Sequence, residues 1–354
     1  MTDAGNPTIE VRSDEALDWQ RLDRYLKQAI PGLDGQPQIS QYPSGRSNLT
    51  YQLSYPGRDL VIRRPPFGAK PKSGHSMSRE HHVMTALKPV FPAVPDTLLY
   101  TDDPDIIGAE FYVMEKSPGI ILDQQRLQAM DLDESRVRRL CLKFFEKLIE
   151  LHQVDIEAAG LTGFGRPEGY IERQISGWNQ RYQAVKTPNV DAFDDVQQWL
   201  ENNRPNAECR ASVLHGDYRL DNALIDVDDD CRIVAILDWE ISALGDPLMD
   251  LGNALCYWVE AGDPPYLQNL AMQPSAVPGM LTRDEILSFY AERTGLDTSR
   301  FRFFLVYGYF RLAAVLQQIY FRYHNGQTRD ARFAHFDQAV MALGNHSRRL
   351  IRGD

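Results

Sequence analysis

The chain has 354 residues, 43% apolar and 25% charged, with a net charge of −11: room for about two domains or two lobes, in an ordinary globular composition. That acidic balance argues against a general nucleic-acid binder, which shows a basic face, and the longest apolar run near the C-terminus, Phe303 to Phe310, meets Arg311 far short of the ~18 residues of a membrane span. The first thirty residues hold no basic segment leading into an apolar one, so no secretory leader is expected and the chain reads as cytoplasmic, and Cys141, Cys209, Cys231 and Cys256 are scattered without a C-x-x-C pair, as suits reduced, packed thiols.

In chain order, the spacing of Trp19, Leu22, Tyr25 and Leu26 predicts a helix that the Pro and Gly of "PGLDGQPQ" end. The segment from Ile39 to Pro66 then reads as two or three strands, with turns at Ser44 to Ser47 and Pro56 to Asp59 and a stop at Pro65-Pro66. A helix is expected over about Met77 to Leu87, and "FYVMEKSPG" reads as a buried strand running into a turn. Beyond Gly119 the texture is helical. Val137, Leu140, Cys141, Phe144, Leu148 and Leu151 recur at three or four residues, as one buried helix face requires. Thr282 followed by Glu285 is a capping-box start, and two long helices are expected over about Ser299 to Tyr323 and Arg329 to Arg349. The division falls near Pro118-Gly119, giving a strand-rich lobe over residues 1–118, with a leading helix at about 15–30, and a helical lobe over residues 119–354.

Inside the helical lobe sits "SVLHGDYRLDNALIDVDDDCRIVAILDWE", Ser212 to Glu240. Ala223 to Val227 and Arg232 to Leu237 read as a hairpin around the turn Asp228 to Asp230. Asp217 and Asn222 stand just before its first strand and Asp238 just after its second. Carboxylate and amide oxygens gathered at a hairpin mouth suit a divalent metal, and Mg²⁺ in particular takes a few such oxygens plus phosphate oxygens. The run His215-Gly216-Asp217-Tyr218-Arg219-Leu220-Asp221-Asn222 has the spacing of the kinase catalytic loop H-R-D-x-x-x-x-N, and Asp238 falls where the kinase D-F-G aspartate stands.

"LHGDYRLDN", "ILDWE" and "GDPLMDLG", in that order and at short spacing, resemble the aminoglycoside phosphotransferase family, a branch of the protein-kinase-like fold that phosphorylates small molecules. The resemblance runs from about Ile39 to about Tyr323, and "GRPEGYIERQISGW" is similar to the variety related to domains fused to acyl-CoA dehydrogenases. It implies an α+β, two-lobed kinase-like fold, with a small β-rich N-lobe and a larger, mainly α-helical C-lobe, and ATP with Mg²⁺ in the cleft. By the same resemblance Asp217 is the catalytic base, Arg219 a cation near the transferring phosphate, and Asn222 and Asp238 the magnesium ligands. "LVIRR" resembles the kinase strand V-A-I-K, with Arg63 at the lysine position and Glu80 as its helix partner. Glu115 and Ser117, in "VMEKSPG", stand at the hinge, where their backbones would meet adenine. Ser44, Gly45, Ser47 and Asn48 stand in the phosphate-covering loop. Two departures from the wider kinase pattern are plain: Arg63 is not Lys, and the loop "YPSGRSNLTY" holds a single Gly.

Blander readings stand beside these. His215 is read as an orienting, hydrogen-bonded group, Asp246 as a cap, Asp250 as a brace through backbone contacts, and Tyr307, Tyr309 and Phe310 as core. A calcium loop over Asp226, Asp228 and Asp230 fails at Cys231, where Gly is needed, and at Leu237, where Glu is needed. The expected activity is ATP- and Mg²⁺-dependent transfer of the γ-phosphate to a hydroxyl of a small molecule, either a hydroxyacyl-CoA or an aminoglycoside-like acceptor. Arg166, Arg173 and Arg181 are candidates for a basic entrance, and Arg173 and Trp178 for the acceptor pocket. The rivals are a non-catalytic nucleotide-binding module and a protein kinase; the latter lacks an A-P-E segment after Asp238.

Overall fold

The computed structural model describes residues 6–43, 48–68, 76–205 and 208–353. In chain order its main elements are α1 (Trp19–Ala29), β1 (Gln38–Gln41), β2 (Leu49–Tyr55), β3 (Arg58–Arg64), α2 (Met77–Leu87), β4 (Thr97–Thr101), α3 (Pro104–Ile107), β5 (Phe111–Glu115), α4 (Gln124–Ala129), α5 (Glu134–His152), α6 (Tyr170–Ala184), α7 (Asp194–Asn202), β6 (Ser212–Leu214), β7 (Ala223–Asp226), β8 (Arg232–Ile236), β9 (Ala243–Gly245), α8 (Pro247–Cys256), α9 (Pro265–Gln268), α10 (Arg283–Thr294), α11 (Phe301–His324) and α12 (Phe336–Arg352). They fall into two compact units. The first takes the chain up to Leu122 together with Ile156–Thr162 and Asp221–Ser242; the second takes Asp123–Asp155, Gly163–Leu220 and Ala243–Asp354.

The first unit is built on an antiparallel sheet in the order β1-β2-β3-β5-β4. Along β2, buried Leu49, Tyr51, Leu53 and Tyr55 alternate with half-buried neighbours, the period-2 pattern of a strand with one covered face. Leu22 and Leu26 of α1 bury against that face with Leu53, Leu60 and Phe111. The hairpin β7-β8 joins this unit although it lies a hundred residues further on in sequence. Ile120 and Ile225 exchange backbone hydrogen bonds at 3.0 and 2.9 Å, and the Ile236 N–H donates to the Ala93 carbonyl at 2.9 Å. Gly119 fits beside Ile225 because it has no Cβ: one there would lie 3.0 Å from the Ile225 carbonyl oxygen. The contiguous division at 118/119 and the compact units therefore differ in kind, since the units are discontinuous.

The second unit is helical. In α5, Asp133 caps by accepting from Arg136 N at 2.9 Å, and Val137, Leu140, Cys141, Phe144, Leu148 and Leu151 form its buried face. Thr282 and Glu285 make the capping box of α10. α11, apolar nearly all round, is buried among its neighbours; Gly308 meets the Gly252 carbonyl of α8 so closely that neither position has space for a Cβ. β6 and β9 pair antiparallel in a short ladder ahead of α8. Among the described residues no helix is long and apolar enough to cross a membrane.

Candidate active site

In the first unit, β3 carries Arg63 opposite Tyr112 on β5. Its guanidinium is forked: Nη1 donates to Glu80 Oε1 at 2.7 Å and Nη2 to Asp238 Oδ1 at 2.9 Å, with Glu240 Oε2 at 4.0 Å. Glu80, fully buried on α2, accepts a second bond from the Trp239 N–H at 3.2 Å. Burial pushes the Glu80 carboxyl up to about 7 against the pull of Arg63, and the Asp238 and Glu240 charges push the same way. Burial also works against the Arg63 charge, but Glu80, then Tyr112 and Asp238, outweigh it and keep the guanidinium firmly protonated. Asn48, almost completely buried, donates from Nδ2 to Glu240 Oε2 at 2.8 Å.

Asp238 follows β8 in the left-handed region, at φ +68°. A non-glycine residue there costs about 1–2 kcal/mol, a strain that collects at functional sites. The Asn222 carbonyl accepts from the Leu237 N–H at 2.7 Å, so Asn222 and Asp238 emerge at the same open end of the β7-β8 hairpin. One amide and one partly exposed carboxylate match the oxygen chemistry of Mg²⁺, which binds through one or two carboxylates plus substrate phosphates. Among the described residues no three His, Cys, Asp or Glu side chains form a metal cage, and Mg²⁺ does not require one. The carboxylates of "DVDDD" are turn groups: Asp229 accepts from Arg232 Nε at 2.6 Å, while Asp230 and Cys231 turn the hairpin at positive φ.

Glu115 and Ser117, expected at a hinge, lie where β5 ends. The Glu115 N–H donates to the Asp96 carbonyl at 2.8 Å and the Lys116 N–H to the Asp59 carbonyl at 3.0 Å, while the Glu115 carboxylate pairs with Arg58. Ser44, Gly45 and Ser47 lie outside the described residues.

The second unit holds Asp217 and Arg219, on the loop that leaves β6. The buried Asp250 of α8 organises that loop: Oδ2 accepts from His215 N and Oδ1 from Gly216 N, both at 2.8 Å. His152 Nε2 reaches Asp250 Oδ2 at 3.2 Å, and Tyr290 closes the chain on His152 Nδ1 at 2.7 Å. Burial alone would raise the Asp250 carboxyl; the bond and charge of His152, with help from His215, hold it below the usual carboxylate range. His215 Nδ1 accepts from the Asp217 N–H at 3.2 Å. Gln273 accepts from Leu220 N at 2.8 Å, and Tyr218 stacks on Phe144 with centroids 4.4 Å apart. The backbone around Asp217 is thus held on both sides. Arg219 Nε stands 3.8 Å from Asp217 Oδ1 with its guanidinium over the Tyr257 ring.

His215 orients, Asp250 braces through backbone contacts, and Asp246 caps α8 by accepting from Leu248 N at 2.9 Å. Sequence reasoning missed Glu240, which completes the carboxylate group around Arg63, and Arg311, whose Nη2 donates to the Gly216 carbonyl at 3.1 Å. The signal for Arg311 was a lone cation inside the apolar run "VYGYFRLAAVL". Arg173, in contrast, folds back onto the Glu168 and Arg166 carbonyls.

The model of the phosphotransferase enzyme family matches residues 38–286. The chain is 34% identical over 356 aligned positions to acyl-CoA dehydrogenase family member 11 of Gallus gallus, covering 98% of this chain and 45% of that protein. It therefore spans less than half the length of that relative. Among solved structures it is similar to a candidate aminoglycoside phosphotransferase from Ralstonia eutropha, at 28% identity and a TM-score of 0.82, with 96% of this chain and 99% of that one covered. A likeness of fold alone extends to the aminoglycoside phosphotransferase APH(4)-Ia, solved with AMP-PNP and hygromycin B, at 16% identity and a TM-score of 0.57 over 91% of this chain and 97% of that one. The fold is that of the kinase-like phosphotransferases.

Proposed function

Because the chain belongs to the phosphotransferase enzyme family, we propose that it is an ATP- and Mg²⁺-dependent small-molecule kinase whose acceptor group is an alcohol, on a hydroxyacyl-CoA or an aminoglycoside-like molecule. Asp217 takes the proton of the acceptor hydroxyl and the acceptor oxygen bonds to the γ-phosphorus. The bond from that phosphorus to the β,γ-bridging oxygen breaks, with its electron pair leaving on ADP. Arg219 and Arg63 offset phosphate charge, Ser44, Gly45, Ser47 and Asn48 cover the phosphates, and Glu80 aims Arg63. With the Glu115 N–H already committed, adenine would meet the Glu115 carbonyl and the Ser117 N–H. Asn222 and Asp238 would hold Mg²⁺, which when bound neutralises phosphate charge.

The observation that carries this reading is the bracing of Asp217. A buried carboxylate, Asp250, takes the N–H groups of both residues before it, and His215 takes its own N–H. Such preorganisation serves a group that must keep its aim through a reaction. The second reading, a nucleotide-binding module without catalysis, is favoured by the engagement of Arg63 on both arms by Glu80 and Asp238.

ADP release from Mg-ATP, measured for wild type and Asp217→Asn across aminoglycosides, hydroxyacyl-CoAs, choline-like alcohols and sugars, decides between them. Acceptor-dependent release that falls about 10²–10⁴-fold in a normally folded Asp217→Asn supports the kinase. Full turnover in that variant removes Asp217 as the base. ATP-induced thermal stabilisation with no release on any acceptor favours the binding module.

A further inference from the structure

Arg311 sits in α11 between buried Phe310 and Leu312, a place where a cation is costly without a partner. Among the described residues its one hydrogen bond goes to a neutral carbonyl, that of Gly216, and no carboxylate lies within ion-pair distance. Its guanidinium carbon stands 5.4 Å from the centre of the Trp178 ring. Arg181, one turn along α6 from Trp178, brings a second guanidinium over the same ring at 4.7 Å, again with no ion-pair partner among the described residues. A ring face attracts each cation by about 0.5–2 kcal/mol, and the Asp217 charge also favours the Arg311 cation, but Arg219 stands 3.8 Å from that same carboxylate, so the arginines outnumber it and an added anion is attracted. Gly216 immediately precedes Asp217, so Arg311 ties the cationic group to the backbone that carries the candidate base.

We propose that Arg311 and Arg181, with the Trp178 ring as their platform, form an oxyanion subsite of the acceptor pocket, so that the molecule phosphorylated carries a carboxylate or phosphoryl group. The inference rests on the small-molecule kinase reading and narrows its acceptor to an anionic hydroxy compound. A polycation would meet Arg311, Arg181 and Arg219 with Asp217 as the opposing carboxylate. The two arginines read the anion and Asp217 acts on the hydroxyl.

The test pairs binding with turnover. Calorimetry without nucleotide measures binding of 3-hydroxybutyrate, glycerol 3-phosphate, 3-hydroxybutyryl-CoA and kanamycin to wild type, Arg181→Gln and Arg311→Lys. ADP release with Mg-ATP is followed on the same panel. Arg181 is exposed and makes no bond to the catalytic loop, so its variant remains informative where Arg311→Lys disturbs Gly216. Losing a charge-assisted hydrogen bond weakens binding about 10-fold or more. The expected result is binding of at least one anionic probe, weakened about 10-fold in Arg181→Gln with a matching rise in KM, and no binding of kanamycin. Preference for 3-hydroxybutyrate assigns a carboxylate and preference for the other two anions a phosphoryl group. Binding that Arg181→Gln weakens without any ADP release supports the subsite and counts against the kinase reading. Turnover of kanamycin with the anions refused, anion binding unmoved in both variants, or no binding of any anion overturns the subsite, and the first of these leaves the kinase reading standing.

Discussion

Arg63 illustrates how much one side chain can be asked to do. A lysine is a point charge with rotating donors, whereas arginine offers a planar fork that engages two carboxylates at once. Here one arm holds Glu80 and the other Asp238. Replacing it by lysine leaves one carboxylate without its donor, and that cost is felt most at Glu80, which has no access to water. Arg63→Lys is therefore expected to raise the KM for Mg-ATP about 10-fold and to lower the melting temperature; an unchanged KM in steady-state kinetics would free Arg63 from any role in nucleotide handling. At this scale the sequence was informative where spacing is chemical. Arg63 and Glu80 were paired across seventeen positions by motif alone, and the structure joins them at 2.7 Å. The partners of Glu240 and Arg311 were not legible, because Arg63 with Asn48 and the Gly216 carbonyl are far away in the chain.

At the scale of elements, the closest approach in the second unit is between α8 and α11. A Cβ at Gly252 would lie 2.5 Å from the Phe304 carbonyl oxygen, and Gly308 faces the Gly252 carbonyl just as tightly. Gly308→Ala must push two backbones apart. Overpacking of this kind costs typically 1–3 kcal/mol, so the variant is expected to melt clearly below wild type in circular dichroism; equal melting would mean that the helices part without strain. α12 contributes a pH dependence through His346, which bonds to Tyr266 through Nδ1 at 3.1 Å and packs edge-on against Tyr309. Burial, then the nearby Arg283 charge, lowers its pKa to about 4. The folded state then binds fewer protons than the unfolded chain between about 6.5 and about 4, so stability is full above about 6.5 and is lost as pH falls through that window. Thermal melts from pH 7 to pH 4 should show this loss, and His346→Gln should flatten it; an identical slope in the variant would assign the loss elsewhere. Helix positions were readable because a buried stripe and a cap are local patterns, as Thr282 with Glu285 shows.

For the whole molecule, each compact unit is assembled from three stretches of chain. The first unit needs β7 and β8: Ile225 bridges Ile120, Ile236 donates to Ala93, and Asp238 and Glu240 surround Arg63. A fragment of residues 1–118 lacks all of these partners and would leave Arg63 and Glu80 with only each other. It is expected to lack a cooperative melt and dispersed amide resonances, while the full chain shows both; a folded fragment would show that the β1 to β5 sheet suffices by itself. The acidic sum of −11 describes the molecule as a whole and hides the local surplus of arginine beside Asp217. What the sequence by itself determined was the set of local patterns: the helix faces, the caps, the hairpin, and the loop spacing from His215 to Asn222, which together with "ILDWE" and "GDPLMDLG" carries the resemblance to the phosphotransferases. The tertiary structure alone decided that the hairpin belongs with the first compact unit, that Glu240 joins Arg63, and that Arg311 and Arg181 share the Trp178 ring. Those outcomes depend on contacts between residues scores of positions apart, and a sequence pattern carries the period of its own element but not the identity of a distant partner.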